Sequence, residues 1–403
     1  MDPLDWRPSL GETLVAVSAH GPNYPFMRLD LALSRLGRPS IAEELASPVS
    51  MSATTVRSEA SHSITLTNGK TFTFNSNDSS TDEAIPVIDV SRMYSDNADD
   101  RQAVAEEIRE AAHSIGFFCI INHRVNMQLA ENVITEAKSF FALPTEKKME
   151  VCTELMPDEY CGYHPMQHYN PNSWKQRDLY EAYNWNYNAA NDPDEPDSSI
   201  AEINLWPENL PQFKETLCAY QSEMISFARK LTRTFALALH LPEKSFDDMV
   251  KRPEAGVRIV HYPRQEASRD DQNGIGAHTD VEYFTIITAD TEGLEVLSKS
   301  GRWIKVKPIP GSFVVNIADC FMRQTNDFFV STVHRVINES GRERYSVPFF
   351  WGLNRQTVLD PIPTCVSEEC PNKYPIMTAG EYYLWRTRRQ KTSWVTGEGT
   401  KQS

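Results

Sequence analysis

Seven short apolar segments crowd the stretch between residues 257 and 353, broken by Gly and Pro: 257–260, 285–288, 294–297, 303–306, 313–317, 332–336 and 345–350. So many short segments spaced by turns read as the strands of a β-sandwich or barrel. What precedes them has a different period. Residues 86–90 and 116–121 read as strands, and 99–115 and 125–143 read as amphipathic helices, the second stopped by Pro144. Phe213, Leu217, Tyr220, Met224, Phe227, Leu231 and Phe235 recur at spacings of three and four. That stripe predicts one long helix, ended near Pro242, whose apolar face packs into a core. The aromatic, Asn-rich and Pro-rich stretch 162–207 is expected to be irregular. The fold class is therefore mainly β with flanking helices.

The first 84 residues do not share this plan. Between 47 and 82 the chain is rich in Ser and Thr, the composition of a linker or solvated surface. Within it Ile64, Leu66, Asn68-Gly69, Phe72 and Phe74 alternate around a turn dipeptide and predict a hairpin. A short helix is expected at 27–36. The organisation that follows is a partly disordered extension at 1–84, a helical region at 85–208, a long helix plus β core at 209–388 and a tail at 389–403.

Charge and composition remove several functions. The net charge of −15 repels phosphate backbones and anionic membranes. No apolar run approaches the roughly 20 residues of a membrane helix. The acidic N-terminus, MDPLDWRPSL, does not read as a secretory signal, and the seven cysteines include no CxxC pair. Nucleic acid and membrane are not expected partners, and a cytoplasmic location with free thiols is.

The chemistry gathers at two points. In His278-Thr279-Asp280, positions i and i+2 would share one face of a strand, so imidazole and carboxylate can converge. His334 supplies a second imidazole from a later strand. Two His and one carboxylate form the facial triad of a non-haem Fe(II) site. A His-x-Asp alone is more often a plain hydrogen-bonded pair. The second point is Arg344-Tyr345-Ser346, where a guanidinium and a hydroxyl again share a face and can grip a carboxylate. Tyr262 ends a strand shortly before the His-x-Asp, and its phenol can either hydrogen-bond a cosubstrate or simply pack.

At this point the chain resembles a known family, the isopenicillin N synthase-like Fe(II)/2-oxoglutarate-dependent dioxygenases. The resemblance is carried by Gly276-Ala277-His278-Thr279-Asp280 with Thr285, Gly293-Leu294-Glu295-Val296, Val314-Val315-Asn316-Ile317-Ala318-Asp319, His334-Arg335-Val336 and Arg344-Tyr345-Ser346-Val347-Pro348. Earlier stretches, Ile85-Pro86-Val87-Ile88-Asp89 and Gly116-Phe117-Phe118, resemble its N-terminal region. The chain departs from the family's habit at Arg124, where Gly is usual after Asn-His, at Ala318 and at Val260.

The resemblance implies a double-stranded β-helix, or jelly-roll, core. It implies iron ligands His278, Asp280 and His334, and 2-oxoglutarate contacts Arg344, Ser346 and Tyr262. The cofactors would be Fe(II), 2-oxoglutarate and O2, with ascorbate as a supporting reductant. The enzyme would act as a monomer on a small-molecule substrate, typical of specialised metabolism, by hydroxylation, desaturation, ring closure or rearrangement. Tyr283, Phe284, Leu297, Phe350 and Trp351 are candidates for the substrate wall, with Tyr183 or Trp185 from the irregular stretch, although core packing is the stronger explanation for each one. Three rivals stay open: an oxidase of the same fold that needs no 2-oxoglutarate, a non-catalytic ligand-binding jelly roll, and a zinc hydrolase, which leaves Arg344-Tyr345-Ser346 unexplained.

Overall fold

The computed structural model describes residues 62–65, 71–74, 84–157, 159–166, 178–265 and 272–386. The expected helix at 27–36 and the tail at 389–403 lie outside them.

Two facing sheets form the body. The larger has eight strands in the order β3-β4-β12-β9-β14-β7-β6-β5: β3 (Val87–Asp89), β4 (Phe117–Ile121), β12 (Phe313–Ile317), β9 (Phe284–Ala289), β14 (Arg344–Gly352), β7 (Glu254–Tyr262), β6 (Glu181–Trp185) and β5 (Gly162–His164). The smaller runs β11-β10-β13-β8: β11 (Trp303–Lys305), β10 (Leu294–Leu297), β13 (His334–Val336) and β8 (Ile275–His278). The seven segments expected to be strands all are. Between the sheets lies a buried layer to which both contribute, with Phe117, Cys119, Val260, Tyr262 and Ile287 from one side and Leu294, Val296, Ile304 and Val336 from the other. This is the jelly roll.

Helices cover the outer face of the large sheet. Helix α1 (Ala98–Ser114) starts at Asn97, whose side chain accepts from the Asp99 amide, with Asp99 and Asp100 in the first turn where the helix dipole favours them. Helix α2 (Met127–Phe141) is capped by Asn126, and after Pro144 a short helix α3 (Thr145–Met149) follows. The long helix α4 (Pro211–Ala238) opens on Pro at its first turn, and all seven stripe residues are buried. A single apolar core joins α1, α2 and α4 to β4, β9, β12 and β14. The helical region and the β region are thus one packed body.

Three expectations change. The stretch 162–207 is not irregular throughout, because it contains β5 and β6. Strand β6 is buried along its whole length. Its polar residues hid it from pattern reading, yet they are paired: the Glu181 carboxylate accepts from Lys148 Nζ and the Tyr163 hydroxyl, both at 2.7 Å, and meets His261 Nδ1 at 2.8 Å. Strand β8 stops at His278, so Asp280 lies in the following loop and does not share a strand with it. The N-terminal hairpin exists as β1 (His62–Thr65) and β2 (Thr71–Phe74), but Thr65 pairs with Thr71. A two-residue Asn68-Gly69 turn would pair Thr65 with Phe72. Ile64 and Phe72 are direct cross-strand partners, and Phe72 packs against the small sheet.

Candidate active site

Antiparallel pairing brings the two histidines together. His334 on β13 is opposite His278 at the end of β8, and their rings lie 4.3 Å apart. The next loop folds Asp280 back between them. Its Oδ1 is 3.7 Å from Nε2 of His278 and 3.7 Å from Nε2 of His334. All three ligand atoms fall within 4.8 Å of one another. Two bonds of about 2.0–2.2 Å to a common ion span such gaps.

The atoms behind the triad decide which lone pairs are offered. His278 Nδ1 donates to the Gly276 carbonyl at 2.8 Å, and His334 Nδ1 donates to the Thr332 carbonyl at 3.1 Å. A carbonyl can only accept, so Nδ1 carries a proton in both rings, and the neutral tautomer this selects presents a bare Nε2. Asp280 Oδ2 accepts from Thr285 Oγ1 at 2.6 Å and Asn316 Nδ2 at 2.8 Å, which leaves Oδ1 for a metal. Burial would raise the Asp280 pKa, but the two imidazoles and these donors hold it below the usual carboxylate range. Burial and the neighbouring His334 lower the His278 pKa, so its ring stays neutral. Two imidazoles and one carboxylate are the donor set that suits Fe(II).

The clamp lies further along the inner face of the large sheet. Arg344 pairs with Tyr262, and Ser346 with Val260 and Ala289. The guanidinium is 4.8 Å from the Tyr262 ring centre, and the Tyr262 phenol meets both Arg344 and Ser346. Arg344 is 2% exposed. Its Nε donates to the carbonyls of Thr291 and Glu292, and its Nη1 is buried with no partner among the described residues. Burial lowers its pKa, with Tyr262 and Asp290 opposing. A buried cation with an unused donor fits a ligand carboxylate. Gly293 makes room for it. At φ +138° a Cβ would come within 2.9 Å of the Ile337 carbonyl oxygen and 3.1 Å of Arg344 Cδ and Nε.

The substrate-wall candidates separate. Phe350 pairs with Thr285 and Gly256 on the face that carries Arg344 and Ser346, and is partly open. Tyr283, Phe284 and Trp351 lie instead in the core beneath α4, with the Tyr283 hydroxyl on Gln324 and the Trp351 indole on Thr232. Tyr183 and Trp185 lie in that core too. Leu297 follows Val296, the partner of His334, so it points to the opposite face, where it packs with Ala277, Trp303 and Val333.

Sequence reasoning gave no role to Thr285, Asn316 and Gly293. The signal was present for the first two. Asn316 is the one polar residue of β12 and Thr285 one of two threonines in β9, and a buried polar group needs a partner.

Comparison with known proteins agrees with this geometry. Residues 253–353 match the family profile of the 2OG-Fe(II) oxygenase superfamily, and residues 85–209 match the profile described as non-haem dioxygenase in morphine synthesis N-terminal. A 2-oxoglutarate-Fe(II) type oxidoreductase of Metarhizium majus is 38% identical over 311 residues, covering 72% of this chain and 83% of the relative. Another of that description, from Emericella nidulans, is 35% identical, covering 73% and 87%. Among solved structures, a full-length Neurospora crassa protein in complex with α-ketoglutarate superposes with a TM-score of 0.66 at 26% identity, covering 77% of this chain and 98% of the other. The chain belongs to the 2OG-Fe(II) oxygenase superfamily: it is an oxidoreductase that uses Fe(II) and 2-oxoglutarate.

Proposed function

We propose that His278, Asp280 and His334 hold the iron, and that Arg344, Ser346 and Tyr262 hold 2-oxoglutarate while a small specialised metabolite is oxidised. The observation that carries this reading is the convergence of two bare Nε2 atoms and Asp280 Oδ1 in the same roll as the unused Arg344 Nη1. Iron, 2-oxoglutarate and O2 together supply the oxidant that breaks a substrate C–H bond, with succinate and CO2 released.

The protein's own residues do the rest. Thr285 and Asn316 keep Asp280 ionised and aimed, which fixes the ligand set without a proton to lose. The Gly276 and Thr332 carbonyls lock the imidazole tautomers. Arg344 anchors the distal carboxylate of the cosubstrate, and Ser346 and Tyr262 add hydrogen bonds. The apolar layer between the sheets keeps water from the reacting centre. Phe350 is the wall candidate retained for the substrate, on its partly open inner face beside Thr285. Hydroxylation, desaturation and ring closure share the same first step. The catalytic unit is residues 85–388, acting as a monomer in the cytoplasm. No helix among the described residues is long and apolar enough to cross a membrane.

The test is an anaerobic titration with Fe(II) and 2-oxoglutarate, following the metal-to-ligand charge-transfer band as candidate small molecules are added. A band that shifts with a candidate, followed by one succinate per substrate consumed in air, supports the reading. Substrate oxidation without succinate would sink it.

A further inference from the structure

The loop that carries Asp280 raises a mechanical question. The β8 ladder ends at His278, so sheet hydrogen bonds do not hold the next two residues. Yet Asp280 must stay within a few tenths of an ångström of one position for three ligands to meet one ion. Thr285 and Asn316 aim the Asp280 carboxylate, so it is the main chain of Thr279 and Asp280 that something else must fix.

A buried ion pair lies directly behind them. The helical segment 379–386 brings Arg386 under the loop, where it is 1% exposed. Its Nη2 donates to the Thr279 carbonyl at 3.2 Å and reaches Thr279 Oγ1 at 3.3 Å. The same Nη2 lies 3.2 Å from Oδ2 of Asp319, a fully buried carboxylate. Asp319 also accepts from the Tyr382 hydroxyl at 3.1 Å and the Thr279 hydroxyl at 3.4 Å through Oδ2, and from the Ser331 hydroxyl at 2.7 Å through Oδ1. Its own amide donates to the Asp280 carbonyl at 3.0 Å. One charge pair therefore ties the Asp280 loop, the approach to His334 and the C-terminal segment to a single point.

We propose that Arg386, acting through Asp319 and Thr279, is a positioning residue of the iron centre. It holds the main chain between the ligands His278 and Asp280 so that the three donors keep their spacing without metal. Surface helix–loop contacts would not need a charge at this place. A buried guanidinium that bonds the carbonyl midway between two metal ligands is a device for geometry. The inference rests on the reading of His278, Asp280 and His334 as the iron ligands.

The experiment uses the full chain with Arg386→Ala, Arg386→Lys and Thr279→Val. Fe(II) is titrated anaerobically with 2-oxoglutarate in excess, reading the charge-transfer band, and the melting of each metal-free protein is recorded beside it. Outer-sphere changes of this kind weaken metal affinity by about 10- to 100-fold, which is the loss expected for Arg386→Ala, with a displaced band. Arg386→Lys should recover most of that affinity, because an ammonium can still pair with Asp319. Fe(II) affinity within about twofold of wild type and an unmoved band in Arg386→Ala would overturn the proposal. So would equal losses in the Ala and Lys variants that simply follow their melting temperatures. If Arg386→Ala does not fold, Thr279→Val decides: a drop of about three- to tenfold supports the claim, and unchanged affinity overturns it. A wild-type protein that binds no Fe(II) would instead refute the iron reading itself.

Discussion

A buried guanidinium with an unused donor, like Nη1 of Arg344, is tolerated best where a ligand will meet it. Charge-assisted hydrogen bonds are each worth about 1.5–3 kcal/mol. Arg344→Ala should therefore raise the 2-oxoglutarate concentration needed for half-saturation by about 10- to 100-fold, read from initial rates, with Fe(II) affinity alone unmoved. His278→Ala or His334→Ala should do the opposite, abolishing turnover together with iron binding in the same titration. Asp178 tells a different story. It lies beside Gly276, 1% exposed, and its carboxyl oxygens have no side-chain partner among the described residues. Burial raises its pKa to about 7, with the Gly276 amide opposing. The folded state thus keeps a proton that the unfolded chain loses near pH 4. Stability must then fall as pH rises from about 4 through about 7, by at most about 4 kcal/mol. Asp178→Asn should flatten that slope in melting curves of the metal-free protein between pH 5 and 8. A parallel slope in both proteins would clear Asp178 of the effect. At this scale the ordered set of motifs, more than the spacing of any one, pointed to His278, Asp280 and His334 and to Arg344, Ser346 and Tyr262, and the structure brings each group together. Asp178 was not legible, because nothing in a sequence says which carboxylates will be buried.

Elements were legible where their period was clean. The seven-residue stripe of α4 and the bounds of β10 and β12 needed no tertiary information. Strand β6 did, because a strand buried on both faces loses its alternation and its buried Glu181 mimics a surface residue. The end of β8 did too, since only pairing with β13 shows that the ladder stops at His278. The connection between β4 and α2 is a case where the departure from the family can be weighed. Asn122 and Arg124 both have positive φ, 59° and 64°. Arg124 stands where the family usually has Gly, and its guanidinium lies 4.4 Å from the Tyr94 ring centre. The left-handed backbone costs a non-glycine residue about 1–2 kcal/mol, while an exposed cation–π contact returns about 0.5–1. Arg124→Gly should leave stability unchanged or raise it by about 1 kcal/mol, measured by denaturant unfolding. Arg124→Val, stiff and without the cation, should lower it by more than 1 kcal/mol on the same estimates.

Over the whole molecule, the first surprise is economy. Helices that match one family profile and strands that match another share one core, so a cut near residue 209 should yield no folded half. The extension behaves otherwise. Phe72 of the β1–β2 hairpin packs on Ala277, Leu297, Trp303 and Val333, the side of the small sheet that faces away from the histidines. Deleting residues 1–84 should lower the melting temperature by uncovering that patch, yet leave Fe(II) affinity and succinate formation within about twofold of the full chain, a range worth less than about 0.5 kcal/mol. A truncated protein that folds but binds no iron would show that the extension shapes the site. The net charge of −15 adds a bias of its own. An anionic cosubstrate approaches against the field of the molecule, so its on-rate should rise with ionic strength. Finally, in the role proposed for it the unused donor on Arg344 meets a carboxylate and takes no account of the keto group at the other end of the ligand. Succinate, the spent form of the cosubstrate, offers the same carboxylate. Product should therefore compete with fresh 2-oxoglutarate for one cation, and turnover should slow as the ratio of the two acids falls, which couples this oxygenase to the carbon balance of the cell that makes it.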